Sequence, residues 1–177
     1  MNLGGHLAGG IVAGALSAGA LGALGRLNPS QIDPSQAWGG PEGIKLAGVF
    51  LVALAAALFP DLDQATHPQR WFYRALFLGL LYLFVSGHLL AFALITLISL
   101  LPLLHQHRGW THRFWAPLFI ALLVALAIEY HRSRSAFWSD FDSTKVLAFF
   151  SHYWIYLLAA ISGHQSHLWL DRVKKST

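Results

Sequence analysis

FYRALFLGLLYLFVSGHLLAFALITLISLLPLL, from Phe72 to Leu104, runs for 33 residues with Arg74 as its only full charge. At 1.5 Å per residue a single helix of that length would cover about 50 Å, well beyond the roughly 30 Å hydrocarbon core of a bilayer. The stretch is either one overlong helix or two short ones turning at Ser86-Gly87-His88. Two are chosen, because a hairpin there brings every polar motif of the chain to one side of the membrane.

Outward from that hairpin, four more apolar runs occur: Leu7 to Leu24, Ile44 to Pro60, Phe114 to Ile128, and Lys145 to about Gly163, the last continuing as helix to Asp171. The expected fold is an all-α integral membrane protein, a bundle of about six transmembrane helices with a metal site at one membrane face. One transmembrane domain is expected over residues 1–171, with a short basic tail at 172–177. The composition fits, because 55% of the 177 residues are hydrophobic and 11% charged, against roughly 25% charged in soluble domains. No basic segment precedes the first run, which is expected to be retained and not cleaved as a signal.

In the first run Gly10, Gly14, Ala18 and Gly22 recur every four residues, a stripe that lets a neighbouring helix approach closely. Polar connectors are expected at Gly25 to Gly43 and at Glu129 to Thr144. With a hairpin at Ser86-Gly87-His88, the second, fourth and sixth helices all end on the side where the first begins. That side carries seven of the twelve Lys and Arg residues, namely Arg70, Arg74, Arg108, Arg113, Arg172, Lys174 and Lys175. The excess points to a cytoplasmic motif side. Trp71, Trp110, Trp115 and Trp169 are read as an interfacial belt. The basic residues are scattered singly, so no nucleic-acid footprint is expected. The chain has no Cys, and a transition-metal site would have to use imidazole and carboxylate.

Three motifs on the shared side carry such groups. His164, His167 and Asp171 are three and four residues apart and fall on one helical stripe. Phe59-Pro60-Asp61-Leu62-Asp63 places two carboxylates at the end of an apolar helix, where they are costly without a cation. His107-Arg108-Gly109-Trp110-Thr111-His112-Arg113 offers two imidazoles across a glycine that permits a bend, with Arg108 and Arg113 suited to an anionic substrate group. His6 joins the set only by lying on the same side.

His6-Leu7-Ala8-Gly9-Gly10, Phe59-Pro60-Asp61-Leu62-Asp63, the His107 to His112 motif and Gly163-His164-Gln165-Ser166-His167 followed by Asp171 together resemble the YdjM-like family of membrane-bound metal-dependent hydrolases. That family is similar, at a distance, to the zinc-dependent phospholipases C and single-strand nucleases. The resemblance implies metal ligands among His6, Asp61, Asp63, His107, His112, His164, His167 and Asp171, and a phosphoester or lipid-like substrate. Here Gln64-Ala65-Thr66 separates Asp63 from His67-Pro68, so His67 is not counted as a ligand. Arg113 stands where the family pattern places Ser.

The expected activity is hydrolysis by metal-activated water near an inner (plasma) membrane surface, with zinc as one or two ions and manganese or iron as alternatives. Asp63 or Asp61 would accept the proton, while Arg108 and Arg113 would hold the substrate anion. The expected partners are the bilayer and that substrate. Two other readings are a metal-binding regulator or docking protein without turnover, and a haem membrane protein using His88 and His152 as axial ligands.

Overall fold

The computed structural model describes residues 3–63, 66–104, 109–133 and 141–173. Six α-helices follow in order: α1 (Leu3–Ala23), α2 (Gly40–Leu58), α3 (His67–Val85), α4 (Leu89–Leu100), α5 (Ala116–Ser133) and α6 (Ser143–Val173). Short 3-10 turns extend α2 through Phe59–Asp63 and α4 through Leu101–Leu104, and another precedes α5 at Trp110–His112. No strand occurs among the described residues.

The chain divides into two compact units. The first holds residues 1–59 and 153–177, that is α1, α2 and α6 from Tyr153 onward. Small residues bring these helices together. A Cβ on Gly10 would lie 3.0 Å from Leu54 and Ala57 of α2, one on Gly14 would lie 2.8 Å from Phe50, and one on Gly9 would lie 2.8 Å from Leu170 of α6. Gly163 sits so close to α2 that a Cβ would come within 2.0 Å of the Ala53 carbonyl oxygen. The stripe of α1 thus works as expected, since apolar helices in lipid associate through close packing and not through water exclusion. Leu21, Leu27, Val49, Ala53 and Ala159 form the buried core, and the Ser17 and Ser162 hydroxyls share a hydrogen bond of 2.7 Å.

The second unit spans residues 60–152. Thr66 caps α3 by accepting the Gln69 N–H at 3.3 Å, with Pro68 in the first turn. The helix stops where the sequence says it should. Gly87 adopts φ +74°, its N–H bonds to the Phe84 carbonyl and the His88 N–H bonds to the Leu83 carbonyl. This is the paired bonding of a Schellman end, which requires a left-handed residue that Gly provides at no steric cost. The Tyr73 hydroxyl donates to the Ser99 carbonyl at 2.8 Å, tying α3 to α4. At the far end of α5, Glu129 is held by Arg132 and by the Asp142 N–H at 3.1 Å, so α5 runs on to Ser133 where a loop from Glu129 was expected. Tyr153, where α6 passes from one unit to the other, departs from helical backbone with φ −104° and ψ 16°.

The number of spans is smaller than the sequence led us to expect. Among the described residues, four helical stretches are long and apolar enough to cross a membrane: Leu3–Ala23, Gly40–Asp63, Ala116–Ser133 and Ser143–Val173. In α3 the first two turns carry Gln69, Arg70 and Arg74, which lowers the apolar content of any long window. With 12 residues, α4 rises only about 18 Å, short of the roughly 30 Å core. The expected residues 172–177 fall largely outside the description, which ends at 173.

Candidate metal centre

Within the first unit, α6 presents His164, His167 and Asp171 on one stripe, as their spacing requires. Both histidines are fully buried, and the Asp171 side chain is 28% exposed. The close approach of α6 to α2 at Gly163 brings His167 Nδ1 to 2.7 Å from the Ala57 carbonyl oxygen. A carbonyl only accepts, so Nδ1 carries the hydrogen and the Nε2 lone pair points the other way.

α1 supplies the third group. The buried ring of His6 stacks on His167 with centroids 3.9 Å apart and planes 17° from parallel. His6 Nε2 lies 3.6 Å from Asp171 Oδ1, and His167 Nε2 lies 3.7 Å from Asp171 Oδ2. These distances exceed an ordinary hydrogen bond of about 2.7–3.2 Å. They are close to the separation of about 3.4 Å between two ligands that each lie about 2.0–2.2 Å from one tetrahedral ion. Two imidazole nitrogens and a carboxylate, one imidazole oriented by a backbone carbonyl, are a donor set that fits zinc, manganese or iron. His164 lies one turn earlier on α6, its ring tilted against Phe59 at 6.5 Å.

Within the second unit the Phe59–Asp63 turn sets Asp61 and Asp63 in buried positions, Asp61 at 2% exposure and the Asp63 side chain at 1%. The Thr111 hydroxyl donates to Asp63 Oδ2 at 3.0 Å, and His112 Nδ1 lies 3.5 Å from the same oxygen. With its one proton directed to Asp63, Thr111 acts as acceptor toward His112 Nδ1 at 3.3 Å. Asp63, Thr111 and His112 are thus one polar cluster built from the end of α2 and the turn before α5.

The remaining candidates are placed separately. Arg113 is exposed just after that turn. His107 and Arg108 lie outside the described residues, as does His105. His67 is exposed at the start of α3, His88 is exposed at the α3–α4 turn, His152 is exposed on α6, and His131 sits in the last turn of α5.

The family model describing the YdjM inner membrane protein matches residues 1–176. The chain belongs to the YdjM inner membrane protein family. The family expected from the four motifs is therefore the one found, and its description, together with four membrane-length apolar helices, identifies a membrane protein. No curated protein and no solved structure matches the chain. For this YdjM family member two features of these clusters, one in each unit, were not anticipated. Thr111 lies inside a motif that had been singled out, and its place between Asp63 and His112 was the available signal. The Ala57 carbonyl has no side-chain signature at all.

Proposed function

We propose that this chain is a membrane-embedded metal-dependent hydrolase acting on a phosphoester or lipid-like substrate. The observation that carries the reading is the arrangement of His6, His167 and Asp171, with His167 turned by the Ala57 carbonyl so that Nε2 faces the carboxylate. His6 Nε2, His167 Nε2 and the two Asp171 oxygens would hold the ion, with His164 further along the same stripe as an additional ligand. When bound, a divalent ion supplies Lewis acidity and lowers the pKa of a coordinated water from 15.7 toward about 7.

The other roles are assigned from the family resemblance and the chemistry of the residues themselves. Asp63 is assigned as proton acceptor, because the Thr111 hydroxyl fixes its rotation and a positioned carboxylate is a competent general base. Asp61, two residues earlier, is the alternative. Arg113 and Arg108 are assigned to the substrate anion, since guanidinium matches phosphate oxygens in pairs. The resemblance also implies His107 and His112 as metal ligands. The excess of Lys and Arg on the motif side supports a cytoplasmic face for this chemistry.

The test couples two readouts on detergent-purified protein: bound metal, and turnover across phosphate mono- and diesters and phospholipids. Metal-dependent release of product from at least one class supports the hydrolase. Tight metal binding with no turnover across the panel replaces it with the metal-binding regulator.

A further inference from the structure

The α3 helix carries a second, independent feature. Arg70, Arg74, Leu78, Leu81 and Val85 follow at intervals of three and four, with Phe77 three residues after Arg74 and four before Leu81, and they therefore form one continuous stripe. Both arginines are exposed, and the apolar members are 48–77% exposed. At the basic end, Arg70, Tyr73, Arg74, Phe77 and Leu78 line a groove of about 470 Å³. The bond from the Tyr73 hydroxyl to the Ser99 carbonyl fixes one wall. The stripe thus passes from two cations to an uninterrupted apolar surface along a single helix.

We propose that this stripe binds an anionic phospholipid of the surrounding bilayer, with the phosphate between Arg70 and Arg74 and an acyl chain along Phe77 to Val85. Three arguments select that occupant. Like charges four residues apart on a helix repel, and a phosphate between them turns the repulsion into paired charge-assisted hydrogen bonds. From Arg74 to Val85 the helix rises about 16 Å, close to half of the roughly 30 Å hydrocarbon core and so to one leaflet. Trp71, 70% exposed beside the arginines, belongs to the residue type that settles at the headgroup level. The same polarity gradient is why α3 falls short as an ordinary span. A zwitterionic headgroup brings its own cation, so the stripe discriminates in favour of a net negative lipid. This binding does not depend on the metal centre or on turnover.

The experiment is native mass spectrometry of the full chain, released from detergent containing equal amounts of phosphatidylglycerol and phosphatidylcholine with matched acyl chains. Two arginines near a lipid surface are expected to favour phosphatidylglycerol roughly ten- to thirtyfold. Replacing both (Arg70→Gln with Arg74→Gln) should bring the preference to within about twofold, whereas Arg70→Lys with Arg74→Lys should keep most of it and Arg26→Gln all of it. Thermal unfolding of the Gln pair should match wild type, because both side chains are exposed. Equal retention of the two lipids by wild type overturns the proposal, as does a preference that survives the Gln pair. Displacement of the bound lipid by inorganic phosphate at comparable concentration also overturns it, since the site would then take free phosphate and not a lipid.

Discussion

Gly163→Ala strikes the contact between α6 and α2 that orients His167 in the proposed metal centre. A Cβ at that position would lie 2.0 Å from the Ala53 carbonyl oxygen and 2.8 Å from its carbonyl carbon, where ordinary contact begins at 3.4 Å. The obstacle is backbone and cannot swing aside, so α6 must withdraw from α2 by about 1.4 Å, the shortfall from 3.4 Å. Such a shift would stretch the 2.7 Å bond between His167 Nδ1 and the Ala57 carbonyl to about 4 Å, beyond hydrogen-bond range. Overpacking of this kind costs about 1–3 kcal/mol, and loss of the buried bond adds about 1 kcal/mol or more. Against that stands the better helix propensity of Ala, about 1 kcal/mol. The net expectation is a loss of about 1–3 kcal/mol, which for a chain of this size lowers Tm by roughly 2–12 °C. Zinc retention should fall with it. Gly19→Ala on α1 is the control, because nothing lies within 4 Å of a Cβ there and the propensity gain stands alone. The assay is thermal unfolding in detergent with metal content measured on the same samples. If Gly163→Ala proves as stable and as zinc-loaded as Gly19→Ala, the close approach of α6 to α2 is wrong.

Three further outcomes are expected. Asp63→Asn should lower hydrolysis about 10²- to 10⁴-fold while much of the metal stays bound, and equal loss of metal and rate would move Asp63 from base to ligand. In a chain without native Cys, Arg70→Cys and Lys174→Cys should label from the cytoplasmic side, and Asp33→Cys and Asp140→Cys from the other; labelling of positions 70 and 174 from opposite sides would break the shared motif face. In the connector before α2, the Ser35 hydroxyl, the Ser35 N–H and the Gln36 amide hold the Asp33 carboxyl below its ordinary value of 3.8. A lowered carboxylate pKa stabilises above the ordinary value and that stabilisation is lost as pH falls through the lowered one, so Ser35→Ala should raise the Asp33 titration toward 3.8 in carboxyl-selective NMR, and an unchanged midpoint would remove Ser35 as the cause.

Much of the architecture was legible because it rests on local rules. The Ser86-Gly87-His88 turn was chosen to bring the polar motifs to one side, and it forms because Gly87 takes the left-handed conformation at φ +74°. The four-residue spacing of small groups on α1 foretold close packing, and the three-four spacing on α6 foretold one stripe. What spacing gave equally to His164 and His167 is separated by tertiary structure. α1 sets His6 against His167, and the Ala57 carbonyl fixes that ring; a main-chain carbonyl leaves no mark in a sequence. Six spans were read where, among the described residues, four qualify, because the two helices of Phe72 to Leu104 were chosen for the side on which they set the motifs, and neither the polar start of α3 nor the brevity of α4 lets them meet the length of a span. Glu129 was read as the start of a polar connector, whereas Arg132, three residues on, pairs with it inside the helix.

If His6, His167 and Asp171 hold a divalent ion, zinc content after metal removal, reloading and desalting will depend on these residues. Wild type and His131→Ala should retain one or two equivalents per chain. His167→Ala and Asp171→Asn should each retain far less, because the donor set loses an oriented imidazole in one and the carboxylate facing both histidines in the other. Equal zinc in all four proteins, or none in wild type, would contradict the account.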